Sequence, residues 1–220
     1  MSVARRPGPA RLPSANCPLC PRLVEFRAAS RAAHPEWHNA PVPAFGGLGA
    51  RLLVVGLAPG LRGANRTGRP FTGDYAGDLL YPTLSRFGFA RGAFAARADD
   101  GLELVGCRVT NAVRCVPPEN RPTGGETAAC RPFLEDEIAA LTELEAILAL
   151  GTVAHASVAK ALGLRRKDVP FAHGAVHELE SGLVLADSYH CSRYNLNTGR
   201  LTEAMFHAVF ESLRRRLDGG

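Results

Sequence analysis

Cys17 and Cys20 form a C-x-x-C pair, and Cys115 and Cys130 follow about a hundred residues later with fourteen residues between them. A C-x-x-C pair places two thiolates on one side of a single turn, where both reach one metal centre. The second pair has to close on the first through the fold. Soft thiolates at this spacing select zinc or an iron–sulfur cluster. A redox-active C-x-x-C and a set of unrelated buried thiols are the competing readings. On spacing alone the choice between zinc and iron stays open.

The other residues able to do chemistry stand in three loops. The first is Gly56-Leu-Ala-Pro-Gly60, continuing through Arg62, Gly63 and Arg66 to Gly68-Arg-Pro-Phe71-Thr-Gly-Asp74. The second runs from Thr110-Asn111 through Val113-Arg-Cys-Val-Pro-Pro118 to Asn120 and Arg121, and the third is Tyr189-His190-Cys-Ser192-Arg193-Tyr194-Asn195. Glycines in the first loop allow close backbone approach to an anion. However, it has neither the G-K-[ST] ending of a P-loop nor the G-x-G-x-x-G of a dinucleotide site, which argues against a nucleoside triphosphate.

These loops need strands behind them, and the apolar runs supply them. Strands are predicted at 51–56, 104–113, 145–151 and 183–189. Helices are predicted at 17–33, 77–89, from Thr123 to about Thr142, after Thr152 and over 202–217, with Thr123 and Glu126 as a capping box. Strands separated by helices argue for a parallel sheet covered on both faces. The fold class is therefore α/β, a three-layer α/β/α sandwich around a central, mainly parallel four-stranded sheet. In such sheets chemistry gathers at the carboxyl ends of the strands, where all three loops fall. A flexible basic tail is expected over 1–14 and a single domain over 15–220.

Composition narrows the class further. Six cysteines in 220 residues are too few for a disulfide scaffold and point to a reducing compartment. No apolar run approaches the ~18–20 residues of a membrane span, so no membrane partner is expected. The net charge is +5, carried almost wholly by arginine, with Lys160 and Lys167 the two lysines. Arginine forks match phosphate geometry and favour a polyanionic partner, although a GC-rich genome produces the same bias.

Taken together, the split cysteine set, Gly56-Leu-Ala-Pro-Gly60, Gly68-Arg-Pro-Phe-Thr-Gly-Asp74, Val113-Arg-Cys-Val-Pro-Pro118 and His190-x-Ser-x-x-Asn195 resemble the type B (family 5) branch of the uracil-DNA glycosylase superfamily. The resemblance spans Cys17 to Asn195. It implies a [4Fe-4S] cluster on Cys17, Cys20, Cys115 and Cys130. It further implies base-excision repair, in which uracil and other deaminated bases such as hypoxanthine are removed from double-stranded DNA. A bacterial or archaeal cytosolic protein acting as a monomer is expected.

A base in a duplex is out of reach, so it must be flipped into a pocket. The resemblance places that base against Gly56, Ala58 and Gly60, with Phe71 as its stacking face and Asn111 reading its edge; Asn120 is the rival reader. His190 would stabilise charge on the departing base. Related branches carry a polar, water-activating residue in the first glycine turn, but Leu57 and Ala58 stand there instead. Asp74 is therefore assigned to position water, with Asp78 as the alternate. The same apolar turn implies broad base choice. Arg62, Arg69, Ser192, Arg193, Tyr194 and Asn195 are expected at the DNA, with Arg66, Arg114 and Arg121 nearby. A lyase step needs an amine, and neither lysine lies in a motif. Competing classes are a non-catalytic metal-cluster DNA-binding module, a thiol oxidoreductase on Cys17 and Cys20, and an enzyme acting on free nucleosides.

Overall fold

The computed structural model describes residues 11–219. Along the chain the elements are α1 (Pro21–Ala33), β1 (Leu52–Gly56), α2 (Ala64–Thr67), α3 (Tyr75–Arg86), β2 (Ala90–Arg91), β3 (Glu103–Leu104) and β4 (Cys107–Asn111). They continue with α4 (Gly124–Ala140), β5 (Ala146–Leu150), α5 (Thr152–Ala161), β6 (Val176–Glu178), β7 (Val184–Ser188), α6 (Arg193–Asn197) and α7 (Glu203–Asp218). One sheet has the order β4-β1-β5-β7-β6, parallel through its first four strands and antiparallel at β6.

The continuous apolar runs do what their sequence requires. Every residue of β1, β4 and β5 is buried. Because strand side chains alternate, Leu52, Val54 and Leu148 face Leu80, Leu84, Phe206 and Phe210 of α3 and α7. Leu53, Val55 and Ile147 face Leu134 of α4 and Val158 of α5 on the other side. A sheet with a helix layer on each face results, as expected. The capping box is present: Thr123 Oγ1 accepts from the Glu126 N–H and Glu126 Oε2 from the Thr123 N–H.

The sheet has five strands rather than four. The additional β6 is a three-residue, partly exposed strand that pairs along β7, Val176 opposite Ala186. The predicted 104–113 strand divides at the left-handed Gly106 into β3, which forms a small ribbon with β2, and the core strand β4. Cys17 lies in a turn before α1 and Cys20 is its N-cap, ahead of Pro21. Residues 1–10 of the expected tail lie outside the described residues. Its remainder is not free: Arg11 Nε lies 2.9 Å from Asp136 and its guanidinium sits over the Phe133 ring. At the β4 edge a single antiparallel bridge joins Phe45 to Val109, with hydrogen bonds of 2.9 and 2.8 Å.

Candidate active site and cysteine centre

β1 continues in opposite directions in the sheet to β4 on one side and β5 on the other, which makes its carboxyl end the switch point. Gly56 and Asn111, the last residues of β1 and β4, are paired in register. A Cβ on Gly56 would overlap both the Phe71 ring and the Asn111 amide oxygen, so only glycine leaves room for the two to meet. Asn111 is buried, and among the described residues its amide has no hydrogen-bond partner in the protein. The Phe71 and His190 rings are stacked with centroids 6.0 Å apart. Gly151, at the end of β5, lets the His190 loop lie against it: a Cβ there would sit 3.4 Å from that of His190. The ends of β1, β4 and β7 and the loop between α2 and α3 thus bring Gly56, Asn111, His190 and Phe71 together.

Asp74 stands beside the glycine turn after β1. Its Oδ1 accepts from the Gly77 N–H at 3.3 Å and caps α3. Its Oδ2 faces the glycine turn, 3.3 Å from where a Gly60 side chain would begin, and a Cβ on Gly63 would collide with it. Burial pushes the Asp74 pKa up against the pull of the Gly77 and Ala76 N–H groups. Asp78 is exposed, in a separate hollow with Tyr75, Leu196 and Glu203, away from this turn. Asn120 Oδ1 lies 4.0 Å from where a Gly60 side chain would begin, which puts Asn120 with Asp74 and Asn111 with Phe71. Desolvation brings His190 down to about 4, so its imidazole is neutral at pH 7.

The third loop is held by its own side chains. Asn195 Nδ2 donates to the His190 carbonyl at 2.8 Å, and Ser192 Oγ caps α6 by accepting from the Asn195 N–H. Asn195, which Ser192 caps, thereby fixes the backbone of His190, and both residues remain partly exposed. Tyr194 is 72% exposed, and Arg193 lies over the Tyr75 ring at 4.9 Å. Arg62, Arg66 and Arg121 are also exposed.

Three expectations need correction. Arg69 is buried, both arms on Asp100 at 2.7 Å, and cannot reach DNA. Arg114 is buried as well, its guanidinium on Glu137. Ala58 turns away from the base pocket and packs into the apolar cluster of Leu23, Val113, Cys130 and Phe133. Sequence reasoning missed Gly63, Gly151 and Tyr75; only the density of glycines after β1 and β5 pointed towards the first two.

That cluster is the cysteine centre. Cys17, Cys20, Cys115 and Cys130 line one small cavity with Pro13, Leu23 and Phe133, closing α1, the loop after β4 and α4 on one another. The cysteines are unpaired thiols. The Arg114 N–H donates to Cys130 Sγ at 3.3 Å and Arg27 Nη1 to Cys115 Sγ at 3.6 Å, so charge on sulfur would be stabilised. Burial raises Cys20, Cys115 (to about 12) and Cys130. Among the described residues no three His, Cys, Asp or Glu side chains form a site for a single metal ion. The pocket and this centre are joined by backbone: Ala112 N–H donates to Gly56 O at 2.9 Å and Val113 N–H to Leu57 O at 3.0 Å.

Comparison with known proteins agrees with this geometry. A family model described as "Uracil DNA glycosylase superfamily" matches residues 43–214. A type-5 uracil-DNA glycosylase of Thermus thermophilus is 46% identical over 205 residues, 90% of this chain and 93% of that protein. Another, from Mycobacterium leprae, is 43% identical, covering 90% of each chain. A type-4 uracil-DNA glycosylase of Pyrobaculum aerophilum is 33% identical over 74% of this chain and 69% of its own length.

Proposed function

Since this chain belongs to the uracil-DNA glycosylase superfamily, we propose that it hydrolyses the N-glycosidic bond of uracil in double-stranded DNA. The observation that carries the reading is the meeting of the Phe71 ring, the free Asn111 amide and the neutral His190 over Gly56. A flipped uracil stacks on Phe71, and Asn111 pairs with a carbonyl and an N–H on its Watson–Crick edge. As the bond breaks, negative charge grows on the base and positive charge on the sugar. Neutral His190 still has one N–H to donate towards the base oxygen. Asp74 Oδ2, facing the glycine turn, orients water and offsets the sugar's charge. Arg62, Arg66, Arg121 and Arg193 supply sequence-independent phosphate contacts, and exposed Tyr194 enters the gap left by the flipped nucleotide. One chain supplies every one of these groups, so a monomer is the working form.

Lys160 ends α5 and Lys167 is an exposed loop residue, both away from the strand ends that build the pocket. The reaction therefore stops at an abasic site. The turn Gly56-Leu-Ala-Pro-Gly60 supplies no polar side chain to the pocket that could reject other bases, which favours hypoxanthine as a second substrate.

The four cysteines are the residues that would hold a [4Fe-4S] cluster, the group that the family resemblance implies. They share one cavity, and N–H donors already face two of the sulfurs, as thiolate ligands require. When bound, the cluster supplies a covalent tie between α1, the loop after β4 and α4 rather than a reaction step.

A labelled duplex with one uracil, incubated with the protein and then treated with alkali, tests the reading. Cleavage at uracil, absent without alkali and lost in His190→Ala, is expected. A protein that binds the duplex and leaves uracil in place would instead be a DNA-binding module.

A further inference from the structure

Phe71 holds a backbone conformation that bulky residues avoid, with φ at 51° in the left-handed region. Such strain persists only where the surroundings impose it. Here they do so from several sides. Tyr81, fully buried in α3, donates its hydroxyl to the Pro70 carbonyl. Arg69 Nε donates to Thr72 Oγ1 at 2.7 Å, and Thr67 Oγ1 donates to the Thr72 carbonyl at 3.0 Å. The residues before and after Phe71 are thus both anchored. Gly77 lies beneath, where a Cβ would run into the Phe71 carbonyl.

The anchors are themselves fixed. Asp100 takes both arms of Arg69 and also accepts from the Ala95 and Leu102 N–H groups at 2.9 and 3.1 Å. The Arg69 guanidinium sits over the rings of Phe45, Tyr81 and Phe94 at 5.0, 5.3 and 5.7 Å. Arg69 and Tyr81 lie behind the pocket, buried and out of reach of a flipped base.

We infer that Tyr81 and the Arg69–Asp100 pair are positioning residues, which hold the Phe71 ring over Gly56 before DNA arrives. The inference rests on the stacking role proposed for Phe71. Released from its anchors, the Phe71 backbone relaxes towards ordinary φ values and carries the ring away from the floor. The flipped base then has to order its own platform during the reaction, and misplacement on this scale costs about 10–10²-fold in rate.

A double-mutant cycle tests this, with single-turnover excision and duplex affinity measured for Tyr81→Phe, Phe71→Leu and the double variant. Tyr81→Phe keeps the ring and loses only the hydrogen bond. Excision should slow by about 10–10²-fold with duplex binding unchanged, and in the Phe71→Leu background the same change should add less than about twofold. A purely structural role would slow both backgrounds alike, and that result overturns the inference. Slow excision by Phe71→Leu beside a wild-type rate for Tyr81→Phe also overturns it and leaves stacking intact. A wild-type rate for Phe71→Leu removes the stacking role, and the inference with it. Should Tyr81→Phe fail to fold, Thr72→Val, which removes the Arg69 contact, enters the cycle in its place.

Discussion

One oxygen of Asp74 caps α3 while the other faces the glycine turn, and burial raises the pKa of the group that does both. A folded pKa above the unfolded value means that the ionised form, present at neutral pH, costs stability. Asparagine caps a helix as well as aspartate does. Asp74→Asn should therefore keep or raise the thermal midpoint while single-turnover excision falls by about 10²–10⁴-fold. In wild type the rate should drop as pH falls through the raised carboxylate pKa, and the variant's residual rate should stay flat there. A midpoint that falls together with activity would show the residue to be structural. His190 has the opposite sign. Its folded pKa of about 4 lies below the unfolded 6.5, so the unfolded chain binds the proton first. The associated stability is whole above pH 6.5 and is lost as pH falls from 6.5 towards 4. His190→Gln should lessen that acid loss by roughly 1 kcal/mol at pH 5, allowing for partial exposure, as read from urea midpoints at pH 5 and 7.5.

Three segments that are far apart in sequence, α1, the loop after β4 and the middle of α4, meet at the cysteines. Cys115→Ala should therefore cost folding as well as chemistry, lowering the yield of soluble protein and loosening the Asn111 loop four residues away. Purified wild type should be brown, with a broad band near 400 nm that bleaches on reduction or oxidation. A colourless protein with one zinc per chain would sink the cluster assignment. The reach of sequence reading also shows at this scale. Long apolar runs announced β1 and β5 because burial on both faces leaves no room for polar residues. β6 was not legible, since Val176-His-Glu178 is short, partly exposed and ordered only by pairing with β7. The α6 helix was hidden because Ser192, its cap, sits inside a stretch dense with site residues. Among the candidate residues, chain order placed Asn111 and His190 at strand ends, whereas Phe71 comes from the loop between α2 and α3. Arg62 and Arg69 look alike in sequence, and only the fold shows that one is exposed and the other is claimed by Asp100. The direction of Ala58 likewise depends on how the chain turns after β1, which no spacing encodes.

Across the whole molecule, the pocket and the cysteine centre lie on either side of the turn after β1, joined by the hydrogen bonds from Ala112 and Val113. The helix layers leave the carboxyl ends of the sheet open, and the exposed arginines of the loops gather there. The margins of the sheet are the short β6 and β4. At one, Glu178 of the short β6 pairs with Arg216 at 2.6 Å; at the other, the Phe45–Val109 bridge covers β4. An unpaired strand margin is a template for another chain's backbone, and covering it keeps a β-rich protein from assembling edge to edge. By this reasoning the Phe45–Val109 bridge guards β4 against pairing with a second copy of the chain. Phe45→Pro deletes one donor of the bridge and uncovers Val109. Its light scattering should rise steeply with protein concentration and with incubation time, under conditions in which the wild-type chain stays dispersed.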